Sequence, residues 1–315
     1  MYSIGIDIGG TNLAGGVVSK DTALLQKYSV PFPGADSPYA SIDACVGLIG
    51  QLLELTGLAI EQIDAIGLAV PGEVDYQNAS VRNAYNLGYH DFPLKSLMQA
   101  HFPNMPIFIE NDANAAALAE YYFGAFRGYS SGLLNTVGTG VGGGMIYNHK
   151  LFNGGRKSGF EIGHSLLQYE GEPCTCGNRG CFEAYCSATA LIRDGKKTAM
   201  ARPDSLLATR SQGPDVKFDA KFIIDCAKEG DAAALDLFDA YCARLGGGIA
   251  SCVNVLDPEI IALGGGVSNA GAFLFDRVRD HVQAGAFFAD YQPKLVPAQM
   301  GNDAGIIGAA MLHRQ

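Results

Sequence analysis

One pattern occurs twice and limits the folds open to this chain more than any other. Residues 3–8 (SIGIDI) and 13–19 (LAGGVVS) are apolar runs joined by Gly9-Gly10-Thr11-Asn12; residues 132–137 (GLLNTV) and 142–147 (GGGMIY) are joined by Gly138-Thr139-Gly140. Apolar runs of this length around a glycine turn predict β-hairpins, and residues 23–30 read as a further strand after the first. The repetition points to a duplicated lobe, each copy lending one turn to a shared nucleotide cleft. Successive N–H groups of such a turn can face phosphate, and Asp7 at the strand end can hold Mg2+ through water. Either turn alone reads equally well as a plain hairpin. With 315 residues, 48% of them hydrophobic, the chain can bury the cores of two lobes flanking a cleft.

Two other phosphate-binding patterns fail on context. Gly138-x-Gly140-x-x-Gly143 satisfies the dinucleotide expression, but that motif needs a following helix, and Met145-Ile146-Tyr147 continues as a strand. No G-x4-G-K-[ST] run occurs.

Between the hairpins, residues 37–58 carry the apolar spacing of a helix (Ile42, Val46, Ile49, Leu52, Leu53), and 63–70 (IDAIGLAV) reads as a buried strand ending in Pro71-Gly72. The loop after such a strand faces the cleft, where bare backbone at Gly72 can approach a ligand. Residues 82–93, rich in Asn and Tyr, read as an ordered loop over a substrate or as plain surface. Strand 106–109 then runs into Glu110-Asn111-Asp112 and an alanine-rich helix at 113–123. An Asp at this junction is by itself an N-cap. Side by side, Asn111 offers an amide to a ligand's hydroxyl groups and Asp112 a carboxylate to a hydroxyl proton. A helix N-terminus predicts a low pKa for Asp112, which would orient the hydroxyl and take its proton late.

The densest chemistry lies in 161–183: Glu161-x-x-His164, then Cys174-x-Cys176-x4-Cys181-x-Glu183. One imidazole and three thiolates, His164, Cys174, Cys176 and Cys181, make a closed tetrahedral zinc set. A four-thiolate set with Cys186 in place of His164 competes with it. Thiols that are merely buried do not cluster with Gly, Pro and Asn in a polar loop. A metal clip here would hold Glu161 and Glu183 in fixed positions, suited to gripping hydroxyl groups.

Farther on, 184–193 reads as a short helix and 194–218 as a polar, aperiodic excursion. Helices follow at 219–229 and 231–255; Gly246-Gly247-Gly248 in the second predicts either a close helix approach or an early end. Strand 259–263 ends in Gly264-Gly265-Gly266, where a flat ring can lie against backbone, before a helix at 269–284. The last helix, 303–313, is expected to return to the first lobe as part of a hinge.

The net charge of −10, with no Lys/Arg cluster, argues against nucleic acid or an anionic membrane as partner. Eight cysteines in a chain this long are no disulfide framework, and thiolate ligands must stay reduced, which predicts a cytoplasmic protein. No signal-like start and no run of the ~18 apolar residues needed to span a bilayer is found.

The run from Glu161 to Glu183, with Asp7, the glycine turns and Asn111-Asp112, resembles the ROK family of bacterial sugar kinases and sugar-responsive repressors over nearly the whole chain. The resemblance implies a two-lobed α/β fold of the actin-like ATPase (ribonuclease H-like) type with a zinc-stapled loop. It implies a small lobe of residues 1–112 plus 303–315 and a large lobe of 113–302. It also implies ATP-dependent phosphorylation of a hexose 6-hydroxyl, glucose first, with N-acetylmannosamine or N-acetylglucosamine as alternatives. Asp112 would be the base, and Gly72, Asn111, Glu161, His164 and Glu183 would hold sugar. Asp7, Gly9–Asn12 and Gly138–Gly140 would serve ATP and Mg2+, and Gly264–Gly266 the adenosine side. A homodimer is the implied assembly. Many members carry Lys where this chain has Asn12, leaving more of the transferred charge to Mg2+ and backbone dipoles. A repressor would carry a helix-turn-helix before the first turn, and here six residues precede Asp7. An actin-like structural ATPase would share the nucleotide turns but gives no reason for the zinc clip.

Overall fold

The computed structural model describes residues 2–19, 21, 24–77, 79–155, 160–213, 216–288 and 290–315. Residue 23 of the expected third strand and 214–215 of the expected polar excursion lie outside them. The chain forms two compact units. One comprises Met1–Leu134, Gly144–Phe160 and Ala298–Gln315, the other Asn135–Gly143 and Glu161–Pro297.

The elements run β1 (Tyr2–Ile8), β2 (Asn12–Ser19), β3 (Gln26–Pro31), α1 (Ala40–Thr56), β4 (Ile63–Val70), β5 (Glu73–Asp75), β6 (Ser80–Ala84), β7 (Tyr89–Phe92), α2 (Leu94–His101), β8 (Ile107–Asn111) and α3 (Asp112–Phe123). There follow β9 (Gly132–Val137), β10 (Val141–Tyr147), β11 (Lys150–Leu151), α4 (Glu183–Cys186), α5 (Ala188–Ala201), α6 (Leu206–Arg210), α7 (Ala220–Lys228) and α8 (Ala232–Leu256). The chain closes with β12 (Ile260–Gly264), α9 (Ala272–Gly285), β13 (Leu295–Pro297) and α10 (Ala304–Met311).

The repeated hairpin belongs to a repeated sheet. One sheet has the order β3-β2-β1-β4-β8 and the other β11-β10-β9-β12-β13. Counted within each sheet, both read third, second, first, fourth, fifth strand, which is the signature of a duplicated unit. In the first sheet β4 pairs parallel with β1 (Asp7 opposite Ala69) and with β8 (Val70 opposite Asn111). Parallel strands end on one edge. Asp7, the Pro71-Gly72 turn and Asn111-Asp112 are therefore delivered to the same carboxyl edge by topology alone.

Backbone-to-backbone contact holds α10 to this sheet. A Cβ on Gly5 would lie 1.9 Å from the Ile306 carbonyl, one on Gly67 1.8 Å from that of Ala309, and one on Gly308 1.6 Å from that of Ala115. The same closeness explains the alanines of α3, where Ala115 shares a buried cluster with Ala69 and Ala309. Buried Glu120 adds three N–H bonds, from Ala125 (2.7 Å), Gln299 and Met300 (2.8 Å each), which fix the chain entering α10. As a result α3, with residues up to 134 and 144–160, lies in the first unit, where the expected boundary had put them in the large lobe. The last helix lies in the first unit, as expected.

Other departures have local causes. The expected loop at 82–93 is mostly sheet: β5, β6 and β7 form three antiparallel strands, with Val81 opposite Phe92 and Ala84 opposite Tyr89. Strands this short, broken by the turn at Gly88 (φ 68°), show too few alternations to be read. The expected helix at 184–193 divides at Ser187, whose hydroxyl accepts the Ala190 N–H at 3.1 Å and so caps α5. α5 then runs on into the stretch expected to be aperiodic, burying only Ala190, Leu191 and Gly195. α8 continues unbroken through its glycines. Gly246 faces the backbone of α9 at Val278 and His281, and Gly248 faces the Phe182 ring, so the close-approach reading holds. Among the described residues no helix is long and apolar enough to cross a membrane.

Candidate functional site

In the first unit the carboxyl edge carries two interacting acids. Burial is the main force pushing the Asp7 carboxyl up to about 6; the Asp112 charge adds to it and Lys27 opposes it. Asp112 is also raised, by burial, although the Ala113 N–H at 2.8 Å pulls it back. This reverses the low pKa expected from the helix N-terminus. The dipole and one N–H are outweighed by loss of solvent.

The helix cap is Asn111, not Asp112. Its Oδ1 accepts the N–H groups of Ala113 (2.9 Å) and Asn114 (3.2 Å), and its Nδ2 donates to the Gly72 carbonyl at 3.2 Å. The amide expected to serve sugar is thus engaged at both ends. Gly72 (φ 93°) owes its identity to β6, since a Cβ there would sit 2.1 Å from the Asn83 carbonyl. The expected ligand approach is not what demands glycine at this point.

The first turn closes on itself through Gly9 N–H to the Asn12 carbonyl at 2.9 Å, and Gly10, Thr11 and Asn12 form its exposed tip. The second closes through Gly138 N–H to the Gly140 carbonyl at 2.9 Å. In each, the first N–H that the sequence offers to phosphate is occupied within the turn. The second turn is also anchored to the break between α4 and α5. The Ala188 N–H bonds the Gly138 carbonyl and the Thr189 hydroxyl bonds that of Thr139, both at 2.8 Å. After β12, Gly265 (φ 82°) is required by β9, whose Val137 carbonyl oxygen lies 2.4 Å from where a Cβ would stand. A Cβ on Gly266 would meet nothing within 4 Å, and this open side suits a ring.

Also in the second unit, the His164 nitrogen and the Cys174, Cys176 and Cys181 sulfurs lie within 4.8 Å of one another. Cys174 Sγ is 3.7 Å from His164 Nδ1, and Cys176 Sγ is 3.7 Å from Cys181 Sγ. Ligands about 2.3 Å from a central ion have tetrahedral edges of about 3.8 Å, so the group fits a closed four-coordinate metal. Gly177 (φ 90°) and Gly180 (φ 80°) make the tight turns between the thiols. Cys186 is fully buried and stands outside this group; burial holds its thiol well above the usual range. The four-thiolate alternative falls.

Glu183, at the start of α4, ties this loop to the second glycine turn. Its Oε2 accepts the Val141 N–H at 3.0 Å, and its Oε1 accepts the Thr175 hydroxyl at 3.0 Å with Cys174 Sγ at 3.7 Å. A Cβ on Gly140 would lie 2.4 Å from Oε2, so glycine there makes room for the carboxylate. Glu161 opens the short helical turn Ile162–His164, its carbonyl accepting the His164 N–H at 3.1 Å.

The residues overlooked in the sequence are Tyr76, Glu110 and Asn153. Glu110 is 2% exposed and gathers the Tyr76 hydroxyl, the Asn111 N–H (2.8 Å), Asn114 Nδ2 (3.0 Å) and Asn153 Nδ2 (3.1 Å). An acid at the end of an apolar strand was the one available signal; Tyr76 and Asn153 lie 34 and 43 positions away in the chain.

Residues 3–315 match the ROK family. The glucokinase of Streptomyces coelicolor is 36% identical over 99% of this chain and 98% of its own length, and that of Thermotoga maritima 34% identical over 99% and 97%. Among solved structures, a ROK family glucokinase from Streptomyces griseus in complex with glucose and AMPPNP is 35% identical and covers both chains fully, with a TM-score of 0.81. The fold is accordingly the actin-like ATPase fold that the resemblance implied.

Proposed function

The chain belongs to the ROK family, and we propose that it is an ATP-dependent sugar kinase that phosphorylates the 6-hydroxyl of glucose. Support comes from several glucokinases 34–36% identical over nearly the full chain and from the glucose and AMPPNP complex of the Streptomyces griseus relative. The observation on this molecule that carries the reading is Asp112, a carboxyl raised by burial at the carboxyl edge of the parallel strands β1, β4 and β8, with Asp7 near enough to feel its charge. A base whose pKa is raised toward neutrality accepts a hydroxyl proton better than an ordinary carboxylate.

In this reading Asp112 orients the 6-hydroxyl and takes its proton as the bond to phosphorus forms, while ADP leaves with the electron pair of the broken bond. Asn111 through the second hydrogen of its Nδ2, with Glu161, His164 and Glu183, holds the other hydroxyls, Gly72 setting Asn111 through its carbonyl. The Gly9–Asn12 and Gly138–Gly140 turns take the phosphates, and Gly266, with Gly264 and Gly265 shaping the loop, takes the adenine side. Asp7, ionised at neutral pH, is the residue to hold Mg2+, which would neutralise charge on the phosphates. With Asn12 in place of a lysine, backbone dipoles share that task.

The closed ligand set suits Zn2+ as a staple, with no open position for Lewis-acid chemistry. His164 would bind it through Nδ1, leaving Nε2 for a sugar hydroxyl. Zinc-binding thiolates must stay reduced, which supports a cytoplasmic location, and family resemblance supports a homodimer.

The test is ADP release from Mg-ATP with glucose, mannose, allose, fructose, N-acetylglucosamine or N-acetylmannosamine, and with no sugar. Glucose-dependent release is expected. Release that ignores sugar, or none at all, would overturn the reading, and dependence on an N-acetylated sugar alone would move the acceptor.

A further inference from the structure

Glu110 is a nearly fully buried carboxyl, and among the described residues no cation is a hydrogen-bond partner of it. All four partners donate: the Tyr76 hydroxyl, the Asn111 N–H and Asn114 Nδ2 to Oε1, and Asn153 Nδ2 to Oε2. An ionised carboxylate is acceptor-only with about four lone-pair sites, so a set of four donors, three on Oε1 and one on Oε2, suits the anion. Burial raises the Glu110 pKa and the four donors pull it back. A buried charge satisfied only by neutral donors is costly to keep, and the four donors show what it does. They come from four segments: the stretch after β5, the peptide joining Glu110 to Asn111, the first turn of α3, and the stretch after β11. The second of these bonds sets the plane from which Asn111 reaches the Gly72 carbonyl and caps α3, and from which Asp112 departs.

We propose that Glu110 is a positioning residue for phosphoryl transfer, its carboxylate fixing the Asn111–Asp112 pair against the Gly72 turn. This rests on the reading of Asp112 as base. Misplacing a reacting group by about 1 Å costs on the order of 100-fold in rate, so small rotations at Asn111 suffice to matter.

Glu110→Gln keeps size and an acceptor oxygen but turns an NH2 toward Asn153 Nδ2, donor against donor. Exchanging the partners, Glu110→Gln with Asn153→Asp, restores donor-to-acceptor order and net charge. Glu110→Gln is expected to lower kcat about 30- to 100-fold with KM for ATP changed less than about twofold, and the exchange to recover kcat to within about threefold. Glu110→Gln with kcat within about twofold of the parent would overturn the proposal. So would an exchanged variant that regains thermal stability but stays slow. Should Glu110→Gln fail to fold, the exchanged variant decides alone, fast in support and slow against. Asp112→Asn is assayed alongside. If it stays active, the base assignment is what fails; if it is inactive while Glu110→Gln is fully active, only the Glu110 proposal fails.

Discussion

Asp7 and Asp112 show how residue chemistry here is set by surroundings that no local motif encodes. The folded Asp7 carboxyl holds its proton up to about 6 against an ordinary 3.8. The native state therefore binds more protons than the unfolded chain in that window, and stability falls as pH rises through it. The relative advantage is complete below about 4 and lost above about 6. Asp7→Asn is accordingly expected to raise Tm at pH 7.5 in magnesium-free buffer, with the gain vanishing near pH 4, while activity is lost. Thermal unfolding at the two pH values checks this, and an unchanged Tm at pH 7.5 would mean that Asp7 is better solvated than the structure indicates. Asn111-Asp112 was legible as a polar pair at a strand end. Which of the two caps the helix, and the sign of the Asp112 shift, were not, because a dipole is local whereas burial is supplied by the rest of the fold. Glu110 carries no local sign of its two distant partners, Tyr76 and Asn153.

Among the elements, strands and helices followed from apolar spacing to within a few residues, and the misses were short pieces. Glycines were the harder matter, since composition cannot tell a turn from a contact. Gly247 and Gly248 are neighbours in α8 with opposite environments. A Cβ on Gly247 meets nothing within 4 Å, while one on Gly248 would stand 2.3 Å from the buried Phe182 ring. Gly247→Ala should stabilise by about 0.5–1 kcal/mol through helix propensity alone. Gly248→Ala should destabilise by about 1–3 kcal/mol through overpacking that outweighs the same gain. Urea unfolding of the two variants measures both, and equal signs would show that α8 shifts freely to accommodate a methyl group. Gly72 and Gly265 teach the same lesson nearer the site: each seemed open to a ligand and each is filled by a neighbouring strand.

For the molecule as a whole, the thiol loop is where one removal should be felt in two affinities. Glu183 bonds Thr175 in that loop and Val141 beside the second glycine turn. Chelating the metal, or Cys176→Ala, is expected to weaken glucose binding through Glu161 and His164, and nucleotide binding through the turn. Both should return on adding Zn2+ to the chelated protein. Calorimetry with each ligand tests this; affinities indifferent to the metal would reduce the clip to a local staple. The sequence by itself determined the duplicated hairpins, the cluster of His and Cys residues in the thiol loop and the polar pair at the start of α3. These follow from periodicity, glycine placement and donor type, which act between near neighbours in the chain. Only the tertiary structure decided which glycines a distant backbone requires, that α3 joins the first unit, that Cys186 stands apart from the thiols, and that Glu110 holds four segments together. Those outcomes turn on ångström-scale distances between residues tens to hundreds of positions apart, and such distances exist only once the chain has packed.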